Sequence, residues 1–353
     1  MATNRAKKTK GKSKGVKLQI IQQNAGIDIS KEDFKACIYQ KLEDQSSKIK
    51  ASRTFKNTLS GFTAFLEWLY KKMATDIEKR VTIEATGVYY EELAHFLNDN
   101  DIYVSVILPN KFKAYAKSLN IKSKTDKIDA QILGRMGLER NLKRWQPISP
   151  KMRELKQLTR DRVSLLNEKT SLNNKLHALK HAHQSNPSVI TRLEQRLELI
   201  KEQIKTVEKE IKQLIKKDTF LKERVDNICK AKGIGIVTVA TIIAETDGFN
   251  LFSSRAQLVS YAGYDVVQKQ SGSSVNGKTR ISKKGNRFIR RALYFPAITI
   301  IKYHTEFAQL FDRVLERTAI KMKAYVAVQR KVLLLIYTLF KQNVPFDPDF
   351  HKS

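Results

Sequence analysis

The sequence predicts three folded parts after a basic arm of residues 1–17. These are an α/β domain over residues 18–149, a long coiled-coil hairpin over residues 150–222 and a mainly α-helical domain over residues 223–346. Three observations predict this. In the first part, short apolar runs ended by turn residues alternate with helically spaced ones. Leu158, Leu165, Leu172 and Leu179 then recur every seven residues, the signature of a coiled-coil seam. After Val225 the apolar positions return to plain helical spacing, interrupted by one strongly basic stretch.

Composition sets the class of partner. The chain has 353 residues, of which 41% are hydrophobic, enough for a real core in about two domains plus an extension. Sixty-six Lys and Arg against 35 Asp and Glu leave a net charge of +31. A charge of that size points to a polyanion, most simply nucleic acid, and names a partner without naming a reaction. The two cysteines, Cys37 and Cys229, have no Cys or His at zinc spacing, and their usage fits a reducing, cytoplasmic setting. No apolar run reaches the roughly 18 residues of a membrane span.

The arm carries seven Lys or Arg and no acid, which suits a phosphate-touching tail and a solubility tail equally. Residues 19–29 read as a strand, 35–40 as a second after a turn at 30–33, and 48–55 as a third. Residues 59–73 have helical spacing through Phe62, Phe65, Leu66 and Leu69. Residues 80–85 form a short strand stopped at Thr86-Gly87. A helix over 89–97 and a strand over 102–108 follow. Pro109 opens one helix. Thr125 caps the next, with Ile128, Ile132 and Leu133 as its buried stripe. Strands first, then alternating helix and strand, give a mixed central sheet.

The heptads break at residues 183–187 and resume through Leu193, Leu197, Ile200, Ile204, Val207, Ile211 and Leu214. The seam suits an antiparallel hairpin or pairing with another subunit. His177, His181 and His183 read as surface residues on it. Gly233-Ile234-Gly235 precedes an apolar helix and has the form of a helix–hairpin–helix turn, whose amides can meet a phosphate; a plain turn between helices fits as well. Residues 252–263 are a further helix. The helical region over 297–341 has Tyr303, Phe307, Phe311 and residues 333–340 as its core.

The basic stretch holds Lys269, Lys278, Arg280, Lys283, Lys284, Arg287, Arg290 and Arg291 with no acid among them, so these eight are the candidate nucleic-acid contacts. Ser271-Gly272-Ser273-Ser274 forms a polar loop at its head. Residues 282–286 form a turn and cap before a helix from Arg287. A serine beside such a helix is a candidate nucleophile on phosphate, its developing charge met by the cations; a phosphate-binding loop is the plainer alternative.

Four acids complete the candidate site. Asp126 and Asp129, three residues apart at a helix start, share one face and repel unless a cation lies between them. Acidic residues also simply favour helix N-termini. Asp28 lies in an apolar strand and Glu84 at the end of another, where a carboxylate is costly unless paired or liganded. Strand ends reaching solvent are the alternative for each. Together the four suit a two-metal phosphodiester site, in which paired cations activate the attacking oxygen and stabilise the leaving one.

These residues together resemble the DEDD transposases of the insertion-sequence one-ten family, over nearly the whole chain after the arm. Gly26-Ile27-Asp28-Ile29-Ser30-Lys31 is similar to the family's opening strand, Glu84-Ala85-Thr86-Gly87-Val88-Tyr89 to its second acidic motif, and Lys124-Thr125-Asp126 through Asp129-Ala130 to its third. Gly233-Ile234-Gly235, Tyr261-Ala262-Gly263, Gln270-Ser271-Gly272 and Ile281-Ser282-Lys283-Lys284-Gly285-Asn286 resemble its C-terminal transposase domain. One departure is Gly263-Tyr264-Asp265-Val266, where family members usually carry a proline. The resemblance implies an RNase H-like, RuvC-like fold for the α/β domain. It implies a metal-binding tetrad of Asp28, Glu84, Asp126 and Asp129 holding Mg²⁺, as two ions. It makes Ser271, the serine directly before Gly272, a nucleophile that joins covalently to DNA and acts with the metal site across subunits. It also implies donor and target DNA, a guide non-coding RNA that pairs with both, and a homo-oligomer, dimer or tetramer. Tyr261 and Tyr264 are weaker nucleophile candidates and read first as packing residues. Two rivals stand beside this: a metal-only RuvC-like junction nuclease with Ser271 as a phosphate contact, and a non-enzymatic basic scaffold.

Overall fold

The computed structural model describes residues 18–121, 123, 125–268, 270–271, 275–277 and 279–347. The basic arm, Lys124, Lys269, Gly272, Ser273, Ser274 and Lys278 lie outside the described residues, as does the side chain of Ser271. The chain divides between Pro147 and Ile148 into two compact units.

In the first unit β1 (Ile20–Ile29), β2 (Asp33–Leu42) and β3 (Ser47–Lys56) form an antiparallel meander. It is followed by α1 (Leu59–Lys72), β4 (Arg80–Glu84), α2 (Glu91–Asp99), β5 (Tyr103–Ile107), α3 (Pro109–Ser118) and α4 (Asp126–Glu139). The five strands lie in the order β3-β2-β1-β4-β5, with β4 parallel to β1 and β5 parallel to β4. This is the mixed α/β sheet that the pattern predicts. The expected helix from residue 89 begins two residues later, because Gly87 takes a positive φ of 60° and the chain turns before Glu91.

Strand periodicity sorts β1 into two faces. Ala25, Ile27 and Ile29 join the core under α1 and α2, where Phe34, Phe55, Phe65 and Trp68 pack edge to face and stacked. Asn24, Gly26 and Asp28 belong to the other face, where α4 lies.

The second unit begins with α5 (Pro150–His181) and α6 (Pro187–Lys216), which pack on each other as a hairpin within the chain. Leu165, Leu172, Leu197, Ile200, Ile204, Val207 and Ile211 bury the seam as the heptads predict. Its last buried position is Ile215, while Leu214 is only half-buried. α7 (Thr219–Cys229), α8 (Ile236–Glu245) and α9 (Arg255–Ala262) follow. Then come four two-residue strands, β6 (Val266–Val267), β7 (Gln270–Ser271), β8 (Val275–Asn276) and β9 (Arg280–Ile281). The unit ends with α10 (Arg287–Ala292), α11 (Tyr294–Ile300), α12 (Thr305–Thr318) and α13 (Lys321–Gln342). Phe307 and Phe340 are core as expected; Tyr303 is not, being 57% exposed in the turn between α11 and α12.

Candidate active site

Register builds the acidic half of the site. β1 and β4 run parallel with Ile27 opposite Ile83, so the next residues, Asp28 and Glu84, come side by side at the strands' C-terminal ends. On its other side Asp28 is paired with Lys35 of β2. The Thr125 hydroxyl accepts a hydrogen bond from the Ile128 N–H and starts α4 at Asp126, which places Asp126 and Asp129 in its first turn.

What brings that turn to the strand ends is a seat of small residues. A Cβ on Gly26 would lie 2.0 Å from the Gly134 nitrogen and 2.2 Å from the Ala130 carbonyl oxygen. One on Gly137 would lie 2.2 Å from the Asn24 amide nitrogen. The buried Asn24 amide donates to the Gly134 carbonyl at 3.0 Å and accepts from the Thr82 hydroxyl at 3.1 Å, pinning α4 to β1 and β4. Such buried bonds contribute about 1 kcal/mol each, but leaving Asn24 unpaired would cost more.

The electrostatics report the convergence. The Asp28 carboxyl is pushed up to about 6, first by burial and then by the charges of Asp129, Asp126 and Glu84; Lys35 opposes them. The Lys35 ammonium donates to Asp126 at 2.5 Å, which raises the lysine's own pKa. Among the described residues no three His, Cys, Asp or Glu side chains close on a single point that could hold an ion. The donor set nevertheless fits one. Carboxylate oxygens from two strand ends and a helix are the ligands a hard divalent cation takes, and a cation would relieve the repulsion that lifts Asp28.

The second unit carries the serine. The sequence predicts a polar loop over residues 271–274; Gly272, Ser273 and Ser274 lie outside the described residues, and the residues around them form short β ladders. Val266 and Val267 pair with Ile281 and Arg280, and Gln270 and Ser271 pair with Asn276 and Val275. β-branched residues favour these ladders, yet two-residue strands are too short to show an alternation. Asn286 caps α10 through the N–H groups of Phe288 and Ile289, as the turn predicts.

The predicted cations differ in availability. Arg280, Lys283, Lys284 and Arg287 are exposed. Arg290, half-buried, donates to the Ala262 carbonyl at 2.7 Å and braces the fold, while Arg291 is exposed and donates to Asn167 at 2.6 Å. Tyr261 and Tyr264 pack as expected: their hydroxyls donate to the Glu245 carbonyl and to Gln329, and burial raises both pKa values. Gly233 takes a φ of 105° and lies close against Ile300, the use a structural turn makes of glycine.

Sequence reasoning overlooked a buried centre behind these ladders. Glu245, whose side chain is 0% exposed, receives a two-pronged pair from Arg160 at 2.7 and 2.9 Å. It also accepts from the Asn286 amide at 2.7 Å. One acid thus ties α5, α8 and the cap of α10 together. The faint signal was a glutamate at the end of an otherwise apolar run, Ile236 to Ala244. For the α4 seat the signal was Ala130, Gly134 and Gly137 at helical spacing.

Comparison with known proteins finds two family models, the first of which runs past the boundary at Pro147 through α5. A family model described as a transposase, of DEDD IS110 type, matches residues 25–184. A second, described as the transposase IS116/IS110/IS902 family, matches residues 225–312. A pilin gene-inverting protein from Moraxella bovis is 30% identical over 334 residues, covering 93% of this chain and 98% of that protein. The protein of the same name from Moraxella lacunata matches to the same extent. A 43.6 kDa protein of insertion element IS110 from Streptomyces coelicolor is 24% identical over 115 residues, 33% of this chain and 28% of that protein.

Proposed function

The chain belongs to the IS116/IS110/IS902 family of transposases, and from that premise we propose that this DNA recombinase cuts and exchanges strands with a Mg²⁺-dependent acid site and a serine nucleophile. The observation that carries the reading is the bearing of Glu84, Asp126 and Asp129 on one half-buried carboxyl, Asp28, in a chain of net charge +31. A sheet ordered β3-β2-β1-β4-β5, with acids ending β1 and β4, supports an RNase H-like, RuvC-type unit.

Asp28, Glu84, Asp126 and Asp129 would hold the metal, as two Mg²⁺ ions. When bound, the ions would polarise the phosphoryl oxygens and stabilise the attacking and leaving ones. Lys35 neutralises Asp126 in their absence. Ser271 attacks phosphorus: the Oγ–P bond forms, a backbone P–O bond breaks, and a strand hydroxyl leaves. Attack on that phosphoserine by a hydroxyl of the second strand joins the new phosphodiester and frees the serine. The exposed Arg280, Lys283, Lys284 and Arg287 neutralise phosphates around it.

The same chemistry serves insertion and inversion alike, and two relatives are named for inverting a pilin gene. Donor and target DNA would be selected by a guide non-coding RNA, held by shape and backbone, with the protein acting as a dimer or tetramer. The test is covalent trapping. Protein, candidate RNA from the element's flank, Mg²⁺ and labelled DNA are mixed and denatured. An adduct that maps to Ser271, disappears in Ser271→Ala and requires Asp126 is the expected result. Cleavage without an adduct would assign the chain to metal-only strand cutting.

A further inference from the structure

The cations best placed to hold a strand are not all in the basic stretch. Arg290 and Arg291 are turned onto Ala262 and Asn167. Arg280 and Lys283 open instead onto a groove of about 1200 Å³ walled by α9, the β6–β9 stem, α12 and α13. Six of its described lining residues are cationic and one, Asp265, is acidic. Arg317 of α12 and Lys323 and Arg330 of α13, all exposed, are cations that motif reading passed over. Lys331, the sixth, is paired with Glu306, and Asp265 accepts from the Ser282 hydroxyl.

The floor is apolar. α12 buries Phe307 fully but leaves Leu310 and Val314, one turn apart, half-exposed in the groove. Val326 and Leu334 of α13 continue the surface. A rim of cations over an apolar floor distinguishes among polyanions. A duplex turns its phosphates outward and stacks its bases on one another, so it would use the rim and leave the floor wet. An unpaired strand uses both, with phosphates on the rim and base faces on the floor. Arg280 in the groove wall pairs with Val267, and the neighbouring two-stranded ladder in the sequence, Gln270–Ser271 with Val275–Asn276, carries the proposed nucleophile.

We propose that this groove holds an unpaired DNA strand, the one presented to Ser271. The assignment of DNA rests on the transposase reading; the single-strand geometry rests on the rim and floor.

The test uses full-length protein and a short labelled oligonucleotide as single-stranded DNA, as blunt duplex and as single-stranded RNA. The pair Arg317→Glu with Arg330→Glu is compared with Lys209→Glu and Lys212→Glu, exposed positions on α6 that change the charge equally. The groove pair should weaken single-stranded DNA at least about tenfold beyond the control pair and lower the log–log salt slope by about 1.4, the share of two phosphates. Duplex affinity should fall no further than in the control. A photo-cross-linker at Met322, exposed in the groove wall, should capture the DNA strand. Arg317→Gln with Arg330→Gln serves if the reversals melt early.

Equal losses in the two pairs, a larger loss for duplex, preferential capture of RNA, or capture of a second protein chain at Met322 would each overturn the proposal. Adduct formation at Ser271 is scored separately on the same samples. Strand affinity lost without any adduct leaves the groove standing and removes the nucleophile. An adduct with strand affinity unchanged does the reverse.

Discussion

Two carboxylates, each near the end of its own element, are treated in opposite ways. Glu245 closes α8 with its side chain out of water, and the fold supplies everything an anion needs: two guanidinium bonds from Arg160 and an amide from Asn286. Asp28 comes at the end of β1 and is given three more acids, with one lysine committed to a neighbour. The first arrangement is complete and holds helices together. The second gathers the charges of three acids on one half-buried carboxyl, the arrangement that the proposed metal ions would neutralise. The lesson is that a carboxylate's role is told by whether the fold brings its counter-charge.

That contrast can be broken from either side. The largest effect should come from Asp28→Asn, which keeps the shape and removes a proposed metal ligand. Strand cleavage should fall about 10³-fold, the several kcal/mol that charge stabilisation by metal supplies, while thermal melting shows the fold intact. A variant that cuts DNA normally would place the site elsewhere. Next is Glu245→Ala. It leaves Arg160 and Asn286 without their partner and should destabilise the fold by about 3–5 kcal/mol in denaturant titration, with Glu245→Gln losing less. A loss under about 1 kcal/mol would mean the centre is not structural.

The smallest effect is a pH dependence that sharpens the comparison. Asp28 binds its proton more tightly in the folded state, at about 6 against an ordinary 3.8. Its contribution to stability is therefore intact below about 3.8 and lost as pH rises to about 6, by about 1 kcal/mol once solvent screening is allowed for. Stability curves of the wild type and Asp28→Asn should diverge across that window, and Mg²⁺ at pH 7 should recover the difference only in the wild type.

Much of the first unit was legible in the sequence because its signals are local. The β1 and β4 strands are apolar runs ended by turns, and Thr125 announces α4 through a cap that needs only three residues. The four acids were legible as residue types; that three of them bear on the fourth, Asp28, depends on register and on the seat of α4, which no local pattern carries. The α5–α6 seam was legible from its heptads, and its partner turned out to be the same chain. What escaped had partners far away in sequence: Asn24 with Gly134, Arg160 with Glu245, and Arg280 with Arg330 around one groove. The serine ladders escaped because their strands are two residues long, and Tyr303 because an aromatic at a helix end carries no periodicity.

The seat under α4 bears on how copies of a mobile element decay. Gly26 and Gly134 contribute no functional group, yet even a methyl on Gly26 would meet backbone at 2.0 Å and lift the helix that carries two of the acids. A single missense change at Gly26 would therefore be expected to silence a copy whose tetrad and serine still read as complete. Sorting living copies from relics by their catalytic letters alone would count such relics as living.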